Sequence, residues 1–509
     1  MNLLEDAWIP VRAAGGTGDL RLLTYRELLC EPGTWQVSLP RDDLELACVQ
    51  LLACLTQVMF LPVDDQTLRK WLAEPLSCKA FDAGIAPCLE WFDLDHPTQP
   101  FMQSRGVEAV DDTPIQKILV GLPEGNNHAF FNEVGEVRNL SGPIAAIALF
   151  NQASNSPSFG GGFKGSLRGG APITTLVAGK TANLRELIWL NVLTLPRIQE
   201  RLPRWTFDYK RDQPTWVKPI REGQTIRWNE IGLIRGLFWQ PARVELVCAQ
   251  VATPCDVLRG PSGTVYSAFR KEKFSFTIEG LWPHPHGAMV ANTKHGLLEW
   301  KFASFTTSAP AWTLLSEFVV PRDVNAPDAK EGCVPAGPVT QAGEIRDGGL
   351  HLVVGGYRTK KALVTERRHE LMSLAQGWND DKGRLKQLVD IGKEARKVLY
   401  GKLYVVAVGK KGKGKRKELQ GIGVPIHEIG EKLFYGRTES LIHEIFSNIL
   451  TFKEWKVARA DFADQLAGRC RTIFKELTDA YAMKPELIPV IAWSRRSLGT
   501  ELAELKEGA

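Results

Sequence analysis

The last third of the chain constrains the fold most. Beyond Glu366-Arg367-Arg368-His369, apolar residues recur at helical spacing in four separate segments. Leu385, Leu388, Gly392, Ala395 and Leu399 share one face, as do Leu441, Ile445, Ile449 and Phe452. Phe462, Leu466, Ile473 and Leu477 repeat the pattern, and so do Ile491, Leu498, Leu502 and Leu505. An amphipathic helix draws most of its stability from burying its apolar stripe. Four such segments joined by loops meet that need by packing on one another, which predicts a four-helix bundle. The patterns upstream are mixed, and 509 residues are too many for one ordinary core. The predicted class is therefore α+β: a large irregular mixed N-terminal domain over residues 1–365, followed by a C-terminal four-helix bundle over 366–509.

In the first of these, Leu3, Leu4, Trp8, Ile9 and Val11 suggest a strand, with turns around Gly15-Gly16. Asp42 and Glu45 have the spacing of a capping box for a buried helix running to Phe60. The same acids, with Asp43, resemble a metal-binding cluster, but carboxylates at a helix start need no metal to explain them. Asn183 to Pro196 reads as an apolar helix closed by proline, and Leu233–Phe238, Val244–Val251 and Thr264–Ile278 read as strands.

The net charge of +5 permits an acidic partner without identifying one. Nine scattered cysteines contain no CxxC pair, which argues for reduced thiols and against a zinc site. The N-terminus lacks the basic flank and apolar run of a signal peptide. The longest apolar stretch, Leu44 to Phe60, is broken by Glu45, Gln50 and Gln57. These features predict a cytoplasmic protein with no membrane partner, no metal and no cofactor. His284 and His286 lack a cysteine or carboxylate at ligand spacing and read as structural.

Four stretches carry features suited to nucleic acid. Gly160, Gly161 and Gly162, followed by Lys164 and Arg168, offer bare N–H groups beside cations, which suits an anion. A P-loop is excluded because Phe163 precedes Lys164, and Pro157 stands where a dinucleotide fingerprint needs its strand. A flexible surface loop is the competing reading. The turn-rich segment 123–139 bears Phe130, Phe131 and Asn132, aromatics that either stack on nucleic acid or pack locally. Arg270 to Phe276 alternates charge with aromatics, as a strand with one wet face does, and a lysine there can reach a groove. The tract 409–417, with Lys410, Lys411, Lys413, Lys415 and Arg416, is either a solvated loop or an electrostatic contact for a strand.

Ordered matches across most of the chain resemble the CasA-type large subunit of the type I-E CRISPR surveillance complex, Cascade. They include Asn2–Val11, Ser38–Ala47, His96–Gln103, the glycine stretch Phe150–Gly170, Asn191–Arg197 and Gln213–Ile220. They continue in Arg235–Ala242, Lys271–His286, Phe305–Thr313 and Gly355–His369. The resemblance implies a non-catalytic subunit that reads the protospacer-adjacent motif (PAM) in duplex DNA and promotes R-loop formation. Its partners would be target DNA, the small-subunit dimer, the backbone and 5′-handle-binding subunits, and a helicase–nuclease. It assigns a glycine-loop contact to Gly160, Gly161, Gly162 and Lys164, a lysine finger to Lys273, and a loop contact to Phe130 and Asn132. It places a duplex-opening wedge at Thr359, Lys360, Lys361 and Ala362. The family's wedge is a glutamine preceded by an asparagine, whereas this chain has Lys361 after Lys360, so the donor-only lysines would alter PAM preference. Ser141-Gly142-Pro143-Ile144 stands where some members carry a CxxC pair, so no metal is inferred. Two other readings remain: a sequence-independent RNA- or single-strand-binding scaffold, and a metal-dependent nuclease using His284 and His286.

Overall fold

Helix α1 (Asp42–Met59) lies at the centre of the larger of two compact units, and every residue but Asp42 and Glu45 is buried. The computed structural model describes residues 1–15, 18–123, 135–181, 183–250, 254–258, 263–294, 297–324, 331–345, 348–360, 363–410, 418–448 and 455–507. The first unit comprises Met1–Ser308, Pro321–Arg346 and His351–Leu371, and the second Ala309–Val320, Asp347–Leu350 and Met372–Ala509. The expected capping box does not form. The N-cap is Arg41, with no side-chain cap bond, and Glu45 instead accepts the Leu39 N–H at 3.0 Å. Asp43 is drawn elsewhere, to Arg41 at 2.8 Å and Arg367 at 3.3 Å. Such pairing accounts for a carboxylate that is 9% exposed.

Helix α2 (Gly142–Ser154) packs on α1 and is buried except at Gln152. Pro143 sits in its first turn, where its missing N–H costs no hydrogen bond. The buried Gln57 of α1 exchanges two hydrogen bonds with the backbone of Leu193, at 2.9 and 2.6 Å. That junction separates two short helices, Leu184–Leu190 and Leu195–Arg201. Pro196 thus opens the second helix rather than closing a single long one. Leu233–Leu237 is also helical, not a strand. The Asp212 carboxylate, remote in sequence, receives the N–H groups of Ile234 and Arg235 at 2.9 Å each, which caps that turn.

The sheets are small. An N-terminal sheet sets Ala7–Ala13 between Arg21–Thr24 and Trp35–Val37. Strand β1 (Thr174–Ala178) follows the glycine stretch, and β2 (Gln224–Arg227) comes next among the strands that frame the site. Strands β3 (Arg243–Cys248) and β4 (Val265–Glu272) pair antiparallel, with Arg243 opposite Glu272. Strand β5 (Phe276–Glu279) pairs parallel with β2. Strand β6 (Leu350–Lys360) lies between β1 and β7 (Leu363–Leu374) in one sheet, with Gly355 opposite Thr174.

In the second unit, α3 (Lys382–Val408), α4 (Ile426–Asn448), α5 (Trp455–Asp479) and α6 (Ile488–Glu507) pack together, while Ile449 and Phe452 of the second predicted stripe lie outside the described residues. The short segment Ala309–Val320 joins them: an ideal Cβ at Gly392 would lie 2.8 Å from the Trp312 ring. Strand β7 runs across residues 365 and 366, the boundary that the sequence suggests.

Candidate nucleic-acid interface

The glycine stretch leaves the buried C-terminus of α2 and returns to the core at β1, so both ends are fixed. Arg168 supplies the lock. Its guanidinium reaches the Ser154 carbonyl at 3.1 Å, the Thr174 hydroxyl at 3.0 Å and the Asn155 side chain. The Ser154 carbonyl belongs to the negative end of the α2 dipole, which favours the cation. Burial pulls the Arg168 pKa down to about 9, so it stays charged at neutral pH. Arg168 is therefore an internal staple, 4% exposed, and not the surface cation that its place beside the glycines suggests.

Gly160, Gly161 and Gly162 have φ of 83°, 55° and 89°, a left-handed run that residues with a Cβ rarely adopt. The Phe163 N–H closes the turn on the Gly160 carbonyl at 3.0 Å. Phe159 and Phe163, on either side of the glycines, meet edge to face at 5.5 Å, and Phe159 packs on Phe269 of β4 at 5.7 Å. The loop is thereby fastened to the strand that precedes Lys273. Gly161, Gly162 and Lys164 are exposed.

The exposed Lys273 ammonium lies 3.5 Å from the Gly161 carbonyl oxygen, joining stretches 112 residues apart. Lys164 sits 5.9 Å over the Phe276 ring and Lys271 5.5 Å over Phe159. The quadrupole of an aromatic ring attracts a cation held over its face. Lys273 occupies the gap between two hydrogen-bonded ladders. On one side Arg243 pairs with Glu272 at 2.9 Å and covers Phe274. On the other, one Glu222 oxygen accepts both the N–H and the hydroxyl of Ser275 at 2.8 Å each. Those two hydrogen bonds hold the Glu222 carboxyl below the usual range. Sequence reasoning missed Glu222, Ser275, Phe159 and Arg243, and no motif marks them.

The hairpin that carries Thr359 and the exposed Lys360 grows from the same sheet that receives the glycine stretch. Lys361 and Ala362 lie outside the described residues. Below the tip, the buried Tyr357 hydroxyl donates to Asp43 at 2.8 Å and accepts from Asn151 of α2 at 2.7 Å. The hairpin is thus tied to both central helices. Phe130 and Asn132 also lie outside the described residues. Their flanking stems meet on the buried Gln116 amide, which donates to the Pro123 carbonyl at 2.6 Å and accepts the Gly135 N–H at 2.9 Å.

Of the lysine tract, Lys410 is held 3.5 Å over the Trp493 ring. Lys411, Lys413, Lys415 and Arg416 lie outside the described residues. His284 and His286 are 3% and 1% exposed, and His284 Nδ1 accepts the His286 N–H at 3.0 Å. His286 Nε2 faces the Asn191 carbonyl oxygen at 3.0 Å, so that nitrogen carries the proton. Burial, reinforced by the charge of Arg168, pulls the His286 pKa down to about 4 and His284 well below its ordinary value. Among the described residues no group of three His, Cys, Asp or Glu side chains is arranged to hold a metal. Among them, too, no helix is long and apolar enough to cross a membrane.

A family model for CRISPR-associated protein Cse1 matches residues 2–473. The chain belongs to the Cse1 family. Its fold is similar to Thermobifida fusca Cse1, with a TM-score of 0.75 at 17% identity over 100% of this chain and 98% of that one. It is likewise similar to Thermus thermophilus CasA (Cse1), with a TM-score of 0.69 at 17% identity over 98% and 99%. A chain of a CRISPR RNA-guided surveillance complex matches with a TM-score of 0.62 at 15% identity over 98% and 99%. Family membership bears out the resemblance to the CasA-type large subunit of type I-E Cascade, and the α+β class with its C-terminal helices agrees with these Cse1 folds.

Proposed function

We propose that this Cse1-family chain is the non-catalytic subunit through which a type I-E surveillance complex reads the PAM in duplex DNA. The observation that carries the reading is the 3.5 Å approach of Lys273 to the Gly161 carbonyl. It gathers a bare, left-handed backbone turn, Lys164 and Lys273 on one exposed edge. A protruding ammonium suits the acceptor-lined minor groove, and glycines allow the phosphate backbone to come close. The protein would read a short motif and shape, leaving sequence to RNA pairing.

Thr359, Lys360, Lys361 and Ala362 would then wedge the duplex open. Lysines there can donate but not accept, which favours A·T-rich or narrow grooves. The Phe130 and Asn132 loop would add a contact to DNA or to the complex. The lysine tract, with Lys410, Lys411, Lys413, Lys415 and Arg416, would steady the displaced strand. The guide-bearing subunits, including the small-subunit dimer, would position this domain, and the helicase–nuclease would be recruited afterwards. No disulfide joins any of the nine cysteines, all of which lie among the described residues, and this suits a reducing cytoplasm.

The test uses the reconstituted complex and duplex targets whose flanking bases are randomised, at one salt concentration. Wild type should enrich a subset of flanks, and Lys273→Ala should reduce that enrichment at least about tenfold, on the scale of a lost base contact. Pre-opened targets should still bind. Flanking bases that never matter for the wild type would instead identify a sequence-independent scaffold.

A further inference from the structure

We infer that Glu222 is a positioning residue for Lys273, acting through Ser275, an inference that rests on the PAM-reading role proposed above. Lys273 belongs to a three-residue gap between two ladders: β4 ends at Glu272 and β5 begins at Phe276. A residue in such a gap takes its direction from whatever fixes the gap's two ends. The β4 end is fixed by the Arg243–Glu272 pair. At the β5 end the Glu222 carboxylate takes both donors of Ser275, and the Gly223 N–H donates to the Ser275 carbonyl at 2.8 Å. Ser275 is thus bound through its N–H, hydroxyl and carbonyl by two consecutive residues. The contact also starts the parallel ladder, because Phe276 stands opposite Gln224. Releasing Ser275 frees the backbone two residues from Lys273 and the Phe276 ring beneath Lys164.

The sign of the effect separates this role from a plain charge. An exposed carboxylate bound to Ser275, two residues from Lys273 in sequence, opposes phosphate binding there, so its removal should tighten binding to any duplex. A positioning residue does the opposite where it matters: flank discrimination falls although the local charge has become more favourable.

Glu222→Ala, Glu222→Gln and Lys273→Ala are compared in the reconstituted complex, using preferred-flank, scrambled-flank and pre-opened targets. Glu222→Ala should lower the preferred-to-scrambled affinity ratio at least about fivefold, a fraction of one base contact. Its affinity for the pre-opened target should stay within about twofold of wild type. Glu222→Gln keeps an acceptor for Ser275 and should retain most of the ratio. An unchanged ratio in Glu222→Ala, with equal or tighter binding to every duplex, overturns the positioning role while leaving the PAM reading intact. An unchanged ratio in Lys273→Ala overturns both.

Discussion

Arg168 and Lys164 are four residues apart in sequence and do different work. Lys164 is exposed beside the glycine turn, while Arg168 faces inward and fastens the loop to α2 and β1. His284 and His286 are similarly internal, and their neutrality has a measurable consequence. The unfolded His286 has an ordinary pKa of 6.5, and the folded one about 4. Between these values the unfolded chain takes up a proton that the native state refuses, so stability falls as the pH falls through that window. From pH 7 to 5 this residue should remove about 2 kcal/mol of unfolding free energy. Urea titrations at pH 7, 6 and 5 should show a shallower decline for His286→Asn than for wild type. Equal declines would place His286 in contact with solvent.

The helices were the most legible elements and the site the least. The spacing of Leu385, Leu388, Gly392, Ala395 and Leu399 points to one buried face, and α3 buries it. Gly392 explains its own place on that stripe, because the Trp312 ring packs where a side chain would stand. Gly392→Ala gains up to about 1 kcal/mol of helix propensity but forces the ring to move, at a cost of about 1–3 kcal/mol. The net expectation is a lower denaturation midpoint. A stabilised variant would mean that the ring yields freely. Nothing in the sequence shows that residues 309–320 supply that ring, because such packing leaves no periodic trace. The glycine run was legible as an unusual backbone, and its three positive φ values bear that out. Its pairing with Lys273 was not derivable from spacing, since a wet strand face looks the same whether or not a loop lies beside it. The burial of Arg168 was equally hidden, because one residue type serves both surface and interior.

Across the whole chain, a family model spanning residues 2–473 and full-length fold similarity identify the kind of protein this is. In the proposed role, the turn at Gly160–Gly162 and Lys273 meet the duplex beside the target. A photo-crosslinking side chain placed at Lys164, in the assembled complex with duplex target, tests that contact. The predicted result is a crosslink to the few base pairs flanking the guide-matched sequence, lost when Lys273 is also replaced by alanine. Crosslinks confined to guide RNA or to neighbouring subunits would contradict it.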